Sequence, residues 1–494
     1  MGDRFDYFAG VHTLPGLLLA YGLASAFSPA SLAQVAANRP NVVVLVADDL
    51  GTLDLRCYGS DDLQTPHLDA LAGRGVKLTA AYAHAVCCPS RAALLTGRHP
   101  QRTGINDWVQ GDAHAGVRRN NLPLAEVTLA EIVEPLGYRT ALFGKWHVGG
   151  SLEHGPLSQG FDEYMGLRNG FIDNYSHYYL HGEGYHDLWD GNEEVFRPGQ
   201  YFPEMITTRA VDFIERAAAA SQPFLVYVGF SLPHYPEQAL SAFDSLYSEL
   251  DEPRRSYAAT VSTVDAHVGR ILATIEAAGL TDSTLVVFVS DNGHSAERYS
   301  ITTPDHPSGR PLGDAYGAKG GGGNTGSWRG AKGTFLEGGI RVPMILSYPA
   351  VLPAGAQRNQ AVTVMDVLPT LVDLLGTPPP DVPLDGHSLL PVLARADAAE
   401  SYDALHFQWK DGWAVREGPW KLIYNGHTAE TAFGLPPGAA RGLPQRFLAR
   451  LDEPEPEGRN HAEAQPQLVE RLIQLHEAWL AEVTPEEGFL TGEE

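Results

Sequence analysis

The sequence predicts a doubly wound α/β domain followed by a smaller antiparallel sheet, and three observations carry that expectation. Apolar runs at 41–46, 76–83, 138–143, 224–230 and 284–289 alternate with helical segments, the pattern of a largely parallel sheet covered on both faces. Two of these runs end in Asp48-Asp49 and Asp291-Asn292, at the carboxyl edge where such sheets gather their sites. Past the Pro-rich stretch 378–383 and a loop near Arg395, the runs 404–409 and 413–424, the latter turning at Glu417-Gly418, read as a small antiparallel sheet. The expected division is a main domain over 38–395 and a small α+β domain over 396–494.

Composition narrows the function classes. The 494 residues, 44% hydrophobic and 19% charged, suffice for one large core and a second smaller one. Sixty acidic against 35 basic residues give a formal charge of -25, which argues against nucleic-acid binding and against docking on an anionic membrane. An anionic substrate would therefore be drawn in by local charge only. Cys57, Cys87 and Cys88 are too few for a disulfide framework and lack a zinc-type Cys-x-x-Cys spacing.

From the N-terminus, the apolar run Leu14 to Phe27 is shorter than the roughly 20 residues that cross a bilayer. With small residues following around Ser31-Leu32-Ala33, it fits a secretory signal over residues 1–33 of a periplasmic or secreted protein. An N-terminal helix or a misassigned start is the other reading. No later segment looks like an integral membrane span.

The strand 41–46 is rich in β-branched valine, as a central parallel strand should be, and the hard oxygen ligands of Asp48-Asp49 at its end suit Ca²⁺ or Mg²⁺. A solvated turn with an Asp cap would look the same. A helix over 65–73 and a strand over 76–83 lead to Cys87-Cys88-Pro89-Ser90-Arg91, a tight turn that feeds a helix from Ser90 onward. Amide groups and Arg91 there would lower the pKa of the Cys87 thiol and attract an anion; a buried free cysteine at the start of a core helix is the bland alternative. Another helix begins at Thr128, and the strand 138–143 ends in Gly144-Lys145-Trp146-His147, where an extended backbone would point Lys145 and His147 the same way. Residues 155–200 carry Tyr175, His177, Tyr178, Tyr179, His181, Tyr185, His186 and Trp189, which form either a cleft wall or a loop packed on the sheet.

A helix over 205–219 precedes the strand 224–230 and then Pro233-His234-Tyr235-Pro236, by itself an ordinary loop. Val264, Val268, Ile271, Leu272 and Ile275 mark a long amphipathic helix. The strand 284–289 delivers Asp291 and Asn292, and two strands that both end in oxygen ligands point to one shared metal ion. The segment 294–328, with Gly320 to Gly323, reads as a site-covering loop, 434–450 as an irregular piece, and 466–483 as a closing helix.

The string Cys87-Cys88-Pro89-Ser90-Arg91-Ala92-Ala93-Leu94-Leu95-Thr96-Gly97 resembles the Cys-x-Pro-Ser-Arg signature of the type I, formylglycine-dependent sulfatases. Gly144-Lys145-Trp146-His147, Pro233-His234-Tyr235-Pro236 and Arg329-Gly330-Ala331-Lys332 through Glu337-Gly338-Gly339-Ile340-Arg341-Val342-Pro343 resemble further strings of that family, in the same order. The resemblance implies an alkaline-phosphatase-like sandwich and hydrolysis of an aryl or carbohydrate sulfate ester. It further implies that Cys87 is oxidised to formylglycine by a formylglycine-generating enzyme or an equivalent maturase, and that Cys88 fills the variable position.

On that resemblance Asp48, Asp49, Asp291 and Asn292, with residue 87, bind Ca²⁺, Mg²⁺ being possible. Arg91 and Lys145 orient the nucleophile, His234 and Lys332 hold the sulfate, and His147 is the base that regenerates the aldehyde, while Glu337 and Arg341 are structural. Two alternatives remain at this level: a phosphate mono- or diester hydrolase of the same superfamily, and a non-catalytic glycan-binding relative.

Overall fold

The computed structural model describes residues 39–111, 121–317, 321–426 and 443–484. The run taken as a secretory signal lies outside the described residues, as do Gly320 and the start of the irregular piece at Gly434. Eleven strands form the large sheet: β1 (Asn41–Asp48), β2 (Val76–Tyr82), β3 (Arg139–Lys145), β4 (Glu163–Leu167), β5 (Trp189–Asp190), β6 (Glu193–Glu194), β7 (Phe224–Pro233), β8 (Thr284–Ser290), β9 (Arg341–Ser347), β10 (Ala356–Arg358) and β11 (Val362–Thr363). Their order is β10-β2-β9-β8-β1-β7-β3-β4-β5-β6, with β11 beside β2. Only β9 and β5 run against their neighbours; the remaining pairs are parallel.

Among the described residues the helices of eight or more residues are α1 (Pro66–Gly73), α2 (Cys87–Thr96), α3 (Phe202–Ala219), α4 (Arg254–Ala277), α5 (Val367–Leu375) and α6 (Pro466–Val483). The period of two along β1 sorts them into layers. Val42, Val44 and Val46 pack with Ala92 and Leu95 of α2 and with Leu368 and Leu371 of α5. Val43, Leu45 and Ala47 pack on the other face with Leu68 of α1, Phe213 of α3 and Val268 of α4. Each such fully buried aliphatic side chain stabilises the fold by about 1.5–3 kcal/mol, so an apolar run without a polar interruption is what a strand covered on both faces requires. No helix among the described residues is long and apolar enough to cross a membrane.

Parallel pairing has a direct consequence for the site. β1 lies between β8 and β7, and β7 lies between β1 and β3, so the carboxyl ends of four neighbouring strands come together. Those ends carry Asp48-Asp49, Asp291-Asn292, His234 and Lys145 in turn. Close approach at the β3–β7 edge depends on glycine: a Cβ on Gly144 (φ 109°) would stand 1.9 Å from the Gly229 carbonyl oxygen.

A second sheet is separate and antiparallel, in the order β12 (Leu405–Trp409), β13 (Gly412–Glu417), β14 (Trp420–Tyr424) and β15 (Arg446–Arg450). Val469 and Leu472 of α6 cover Val415, Leu422 and Leu448 on one of its faces. Its other face, with Phe407, Ala414 and Ile423, packs on Tyr82, Phe335 and Ile340 of the large unit. A buried ion cluster joins the two units. Lys421 Nζ lies 2.7 Å from Glu337 and 2.7 Å from Glu457, and it donates to the Phe335 carbonyl at 2.9 Å. Arg341 lies 3.1 Å from Glu337, the structural pair expected from the sequence. Burial pushes both carboxyls up, but Lys421 and Arg341 more than offset this for Glu337, which is held at about 2, while Glu457 stays raised.

Removing the shared cation would leave Glu457 without its buried cation partner and Glu337 relying on Arg341. Lys421→Met is expected to lower unfolding stability by about 3–5 kcal/mol, measured by denaturant titration. Arg471→Ala, at the exposed pair with Glu417, should change it little.

Candidate active site

The ten residues singled out above as catalytic or metal-binding are all buried, and they converge on the carboxyl edge of β8, β1, β7 and β3. Helix α2 starts at Cys87 itself, three residues earlier than expected, with Val86 extended before it. Ser90 Oγ accepts from the His84 amide at 2.9 Å and donates to the Val86 carbonyl at 3.1 Å, which locks the turn in front of Cys87. At the far end Gly97 (φ 68°) stops the helix, where a Cβ would meet Leu368 at 3.2 Å. Cys88 packs into the core, its Sγ accepting from the Val109 amide at 3.1 Å.

Carboxylates and cations alternate around Cys87. Lys145 Nζ lies 2.6 Å from Asp48 Oδ2. Arg91 Nη2 lies 2.8 Å from Asp291 Oδ2 and Arg91 Nη1 donates to the Lys145 carbonyl at 3.0 Å. Lys332 Nζ reaches Asp49 at 3.0 Å and Glu297 at 3.1 Å. His234 Nε2 stands 3.6 Å from Asp49 Oδ2, while its Nδ1 faces the Tyr235 carbonyl at 2.7 Å, an arrangement that puts the ring proton on Nδ1 in the neutral form. Asp49 (φ 66°) and His147 (φ 60°) both adopt left-handed backbone, which for side chains of this size is strain of the kind that gathers at functional positions. His147 therefore does not continue the extended run of β3 as expected. It still reaches the same charge cluster, since Lys145, Arg91 and Lys332 all act on it.

Burial dominates the protonation chemistry. It pushes Asp48 up to about 8, against the pull of Lys145, and Asp49 up to about 6, against the pull of Lys332. Burial first, then Lys145, Arg91 and Lys332, hold His147 well below the usual imidazole range; burial with Lys332 and Lys145 does the same for His234. Cys87 corrects the expectation of an acidic thiol. Its pKa is raised well above the ordinary value, because loss of water outweighs the favourable fields of Lys145 and Lys332 and because Asp291 and Asp48 oppose ionisation. In the metal-free pocket the Cys87 thiol is disfavoured as an anion.

A divalent cation does fit. Asp48 Oδ1 and Asn292 Oδ1 are buried without a hydrogen-bond partner, although the Asn292 amide group donates to Asp49 Oδ1 at 2.6 Å. Ligand atoms of Asp48, Asp49 and Cys87 lie within 4.8 Å of one another. Unpartnered oxygens at the meeting point of two strand ends are what a hard cation requires and what a dry pocket otherwise penalises. A second trio, Asp49, His234 and Glu297, is equally compact, but the Lys332 ammonium already bridges two of its members.

Sequence reasoning missed Glu297 and Phe171. Glu297 follows Asp291-Asn292 within a Gly-His-Ser-Ala loop, so the only available signal was an acidic residue near a strand end. Phe171 belongs to the aromatic insert and tilts over His234 at 5.1 Å between ring centroids, joined by Tyr179 and His181. The packed-loop expectation holds for the insert's core-facing side chains. Trp189 is tied into the large sheet through β5, while Phe171, Tyr179 and His181 gather beside the site.

Comparison with known proteins agrees with this geometry. A family model described as Sulfatase matches residues 40–377. Mouse steryl-sulfatase is 32% identical over 473 residues, covering 78% of this chain and 70% of that protein. Human arylsulfatase A is 32% identical over 421 residues, covering 78% and 75%. Dog N-acetylgalactosamine-6-sulfatase is 32% identical over 393 residues, covering 76% and 69%. Among solved structures, Ps i-CgsB in complex with a neocarrahexaose superposes with TM-score 0.74 at 25% identity, over 91% of this chain and 94% of that one.

The raised carboxyls make cation binding pH-dependent with a definite sign. In the metal-free protein Asp48 and Asp49 hold protons up to about 8 and about 6, so their contribution to stability is present below the unfolded-chain value near 4 and is lost as pH rises through those folded values. A bound cation must displace these protons. Calcium affinity is expected to rise between pH 5.5 and 8.5, with proton release visible calorimetrically as a dependence on buffer ionisation enthalpy. A pH-independent affinity would contradict the assignment.

Proposed function

The chain belongs to the sulfatase family and is a sulfuric ester hydrolase, and from that premise we propose that it cleaves aryl or carbohydrate sulfate monoesters with residue 87, matured from cysteine to formylglycine, as nucleophile. The observation that carries this reading is the ring of cations and carboxylates around a cysteine whose thiol is disfavoured as an anion. Cys87 Sγ marks where the oxygens of the hydrated aldehyde would stand.

Asp48, Asp49, Asp291 and Asn292 would hold the divalent cation, Ca²⁺ or Mg²⁺, which when bound supplies Lewis-acid polarisation. Lys145 and Arg91 hold Asp48 and Asp291 in place while lying close enough to residue 87 to orient it. Lys332 and His234 meet the sulfate oxygens. An anion arriving beside His234 favours its imidazolium, so either group can pass a proton to the departing alcohol. One hydroxyl of the residue-87 hydrate gives its proton to a neighbouring carboxylate of the cluster and attacks sulfur, forming a sulfate ester on residue 87 as the bond from sulfur to the alcohol oxygen breaks. His147, neutral in this environment, then takes the proton of the second hydroxyl, which lets sulfate leave and the aldehyde return.

The family relationship supports a maturase as processing partner, and residues 38–395 are assigned the catalytic role. The aromatic residues beside His234, together with relatives named for steryl, aryl and N-acetylgalactosamine sulfates and a neighbour bound to a neocarrahexaose, support a ring-bearing alcohol as the leaving group. We assign the protein to the periplasm or the extracellular space on the reading of the apolar run Leu14 to Phe27 as a secretory signal. Aryl sulfate hydrolysis by protein co-produced with a maturase tests the reading. Cys87→Ala should lower kcat at least about 1,000-fold, whereas Cys88→Ala, a core substitution, should retain turnover in the folded fraction. Equal loss in both would count against Cys87 as the precursor.

A further inference from the structure

Three consecutive amides at the end of β1 take side-chain oxygens as their acceptors. The register of β1 with β7 shifts between Val46 and Asp48, so the chain leaves the ladder where the cation ligands begin. The Asp49 amide then donates to Asp291 Oδ1 at 3.3 Å, the Leu50 amide to Ser290 Oγ at 3.0 Å and the Gly51 amide to Tyr257 Oη at 3.0 Å. A buried amide that leaves a sheet needs a new acceptor, and here three side chains distant in sequence supply one each.

Two of these acceptors are hydroxyls, and each makes a second contact. Ser290 Oγ donates to the Asn292 carbonyl at 2.8 Å. One hydroxyl therefore joins the backbone of the turn bearing Asp48 and Asp49 to that of the turn bearing Asp291 and Asn292. Tyr257, at the start of α4, donates to the Asp49 carbonyl at 3.1 Å while accepting from Gly51, which grips the peptide groups on both sides of Leu50. Both side chains are buried, which keeps bulk water from taking over either contact.

The turn they hold is a costly one. Asp49 lies at φ 66°, a left-handed conformation that a residue other than glycine enters only at a cost in free energy. That conformation sets the direction of the Asp49 side chain, which offers a ligand oxygen within 4.8 Å of those of Asp48 and Cys87. Without the two hydroxyls, the Asp49 carbonyl and the Leu50 and Gly51 amides would be buried unpaired, and the turn would gain by relaxing. A donor set loosened in this way binds an ion less tightly, because realigning it draws on the binding free energy.

We propose that Ser290 and Tyr257 are positioning residues of the cation site. Their hydroxyls hold the strained Asp49 turn before the ion arrives, so that Asp48, Asp49 and Asn292 present their oxygens already aligned. The inference rests on the cation reading of the site given above. It is independent of the protonation of any carboxylate, since both hydroxyls act on backbone groups.

Calcium binding to the full chain, measured by calorimetry, tests the proposal. Ser290→Ala and Tyr257→Phe should each weaken calcium at least about tenfold. Tyr247→Phe removes a buried hydroxyl of the same kind, one that serves the Gln64 amide and Ser262 instead, and should leave calcium affinity unchanged. In metal-free wild type the amides of Leu50 and Gly51 should be protected from hydrogen exchange, as a preformed turn requires. Rapid exchange there that slows only when calcium is added overturns the proposal even if neither variant folds. So does a folded Ser290 or Tyr257 variant that binds calcium as tightly as wild type, or an equal loss in Tyr247→Phe. Wild type that binds neither Ca²⁺ nor Mg²⁺ defeats the cation reading together with the proposal, whereas tight wild-type binding with unaffected variants removes the proposal alone.

Discussion

Everything at this site depends on how several carboxylates are kept together out of water. Parallel pairing of β8, β1, β7 and β3 delivers side chains to one edge whether or not they repel, and Asp48, Asp49 and Asp291 would not tolerate that proximity alone. Each is therefore paired with a cation from a different part of the chain: Lys145 at the end of β3, Arg91 one turn into α2, and Lys332 on the loop before β9. The pairing is incomplete by design of the donor set, since Asp48 Oδ1 and Asn292 Oδ1 remain open. That remaining deficit gives the pocket its appetite for a divalent cation, and the same dryness that raises the carboxyls disfavours the Cys87 thiolate.

The small sheet is held by the same device, used for structure instead of chemistry. Lys421 from β14 enters the large unit between Glu337 and Glu457, and Tyr82 at the end of β2 donates to Glu337 at 2.7 Å. Glu337 opens the turn that leads into β9, and Lys332 lies five residues before it. The joint between the units and the loop that carries Lys332 therefore share one short segment.

Much of this was legible in the sequence because the strongest signals are local. Apolar runs rich in β-branched and aromatic residues marked β1, β7 and β8, and an Asp-Asp or Asp-Asn after β1 and β8 marked the site edge. Two-residue strands such as β5, β6 and β11 carry no period and were invisible, and the antiparallel direction of β9 is set by its neighbours and not by its own residues. The error over Cys87 has the same origin. A helix start and a nearby arginine are visible in the sequence, but complete burial and the approach of Asp48 and Asp291 from distant strands are not. Glu297 escaped notice for a related reason, its partners Lys332 and Tyr235 lying 35 and 62 residues away in a loop without periodicity.

The central claim is that Cys87 is a precursor and that the oxygen-donor site around it serves an oxygen nucleophile. Mass spectrometry of the peptide carrying residue 87, from active protein made in its native host, tests this most directly. The account predicts an aldehyde in place of the thiol at position 87, an intact thiol at Cys88, and turnover that scales with the aldehyde-bearing fraction. Full activity from protein in which Cys87 is entirely an unmodified thiol would contradict it.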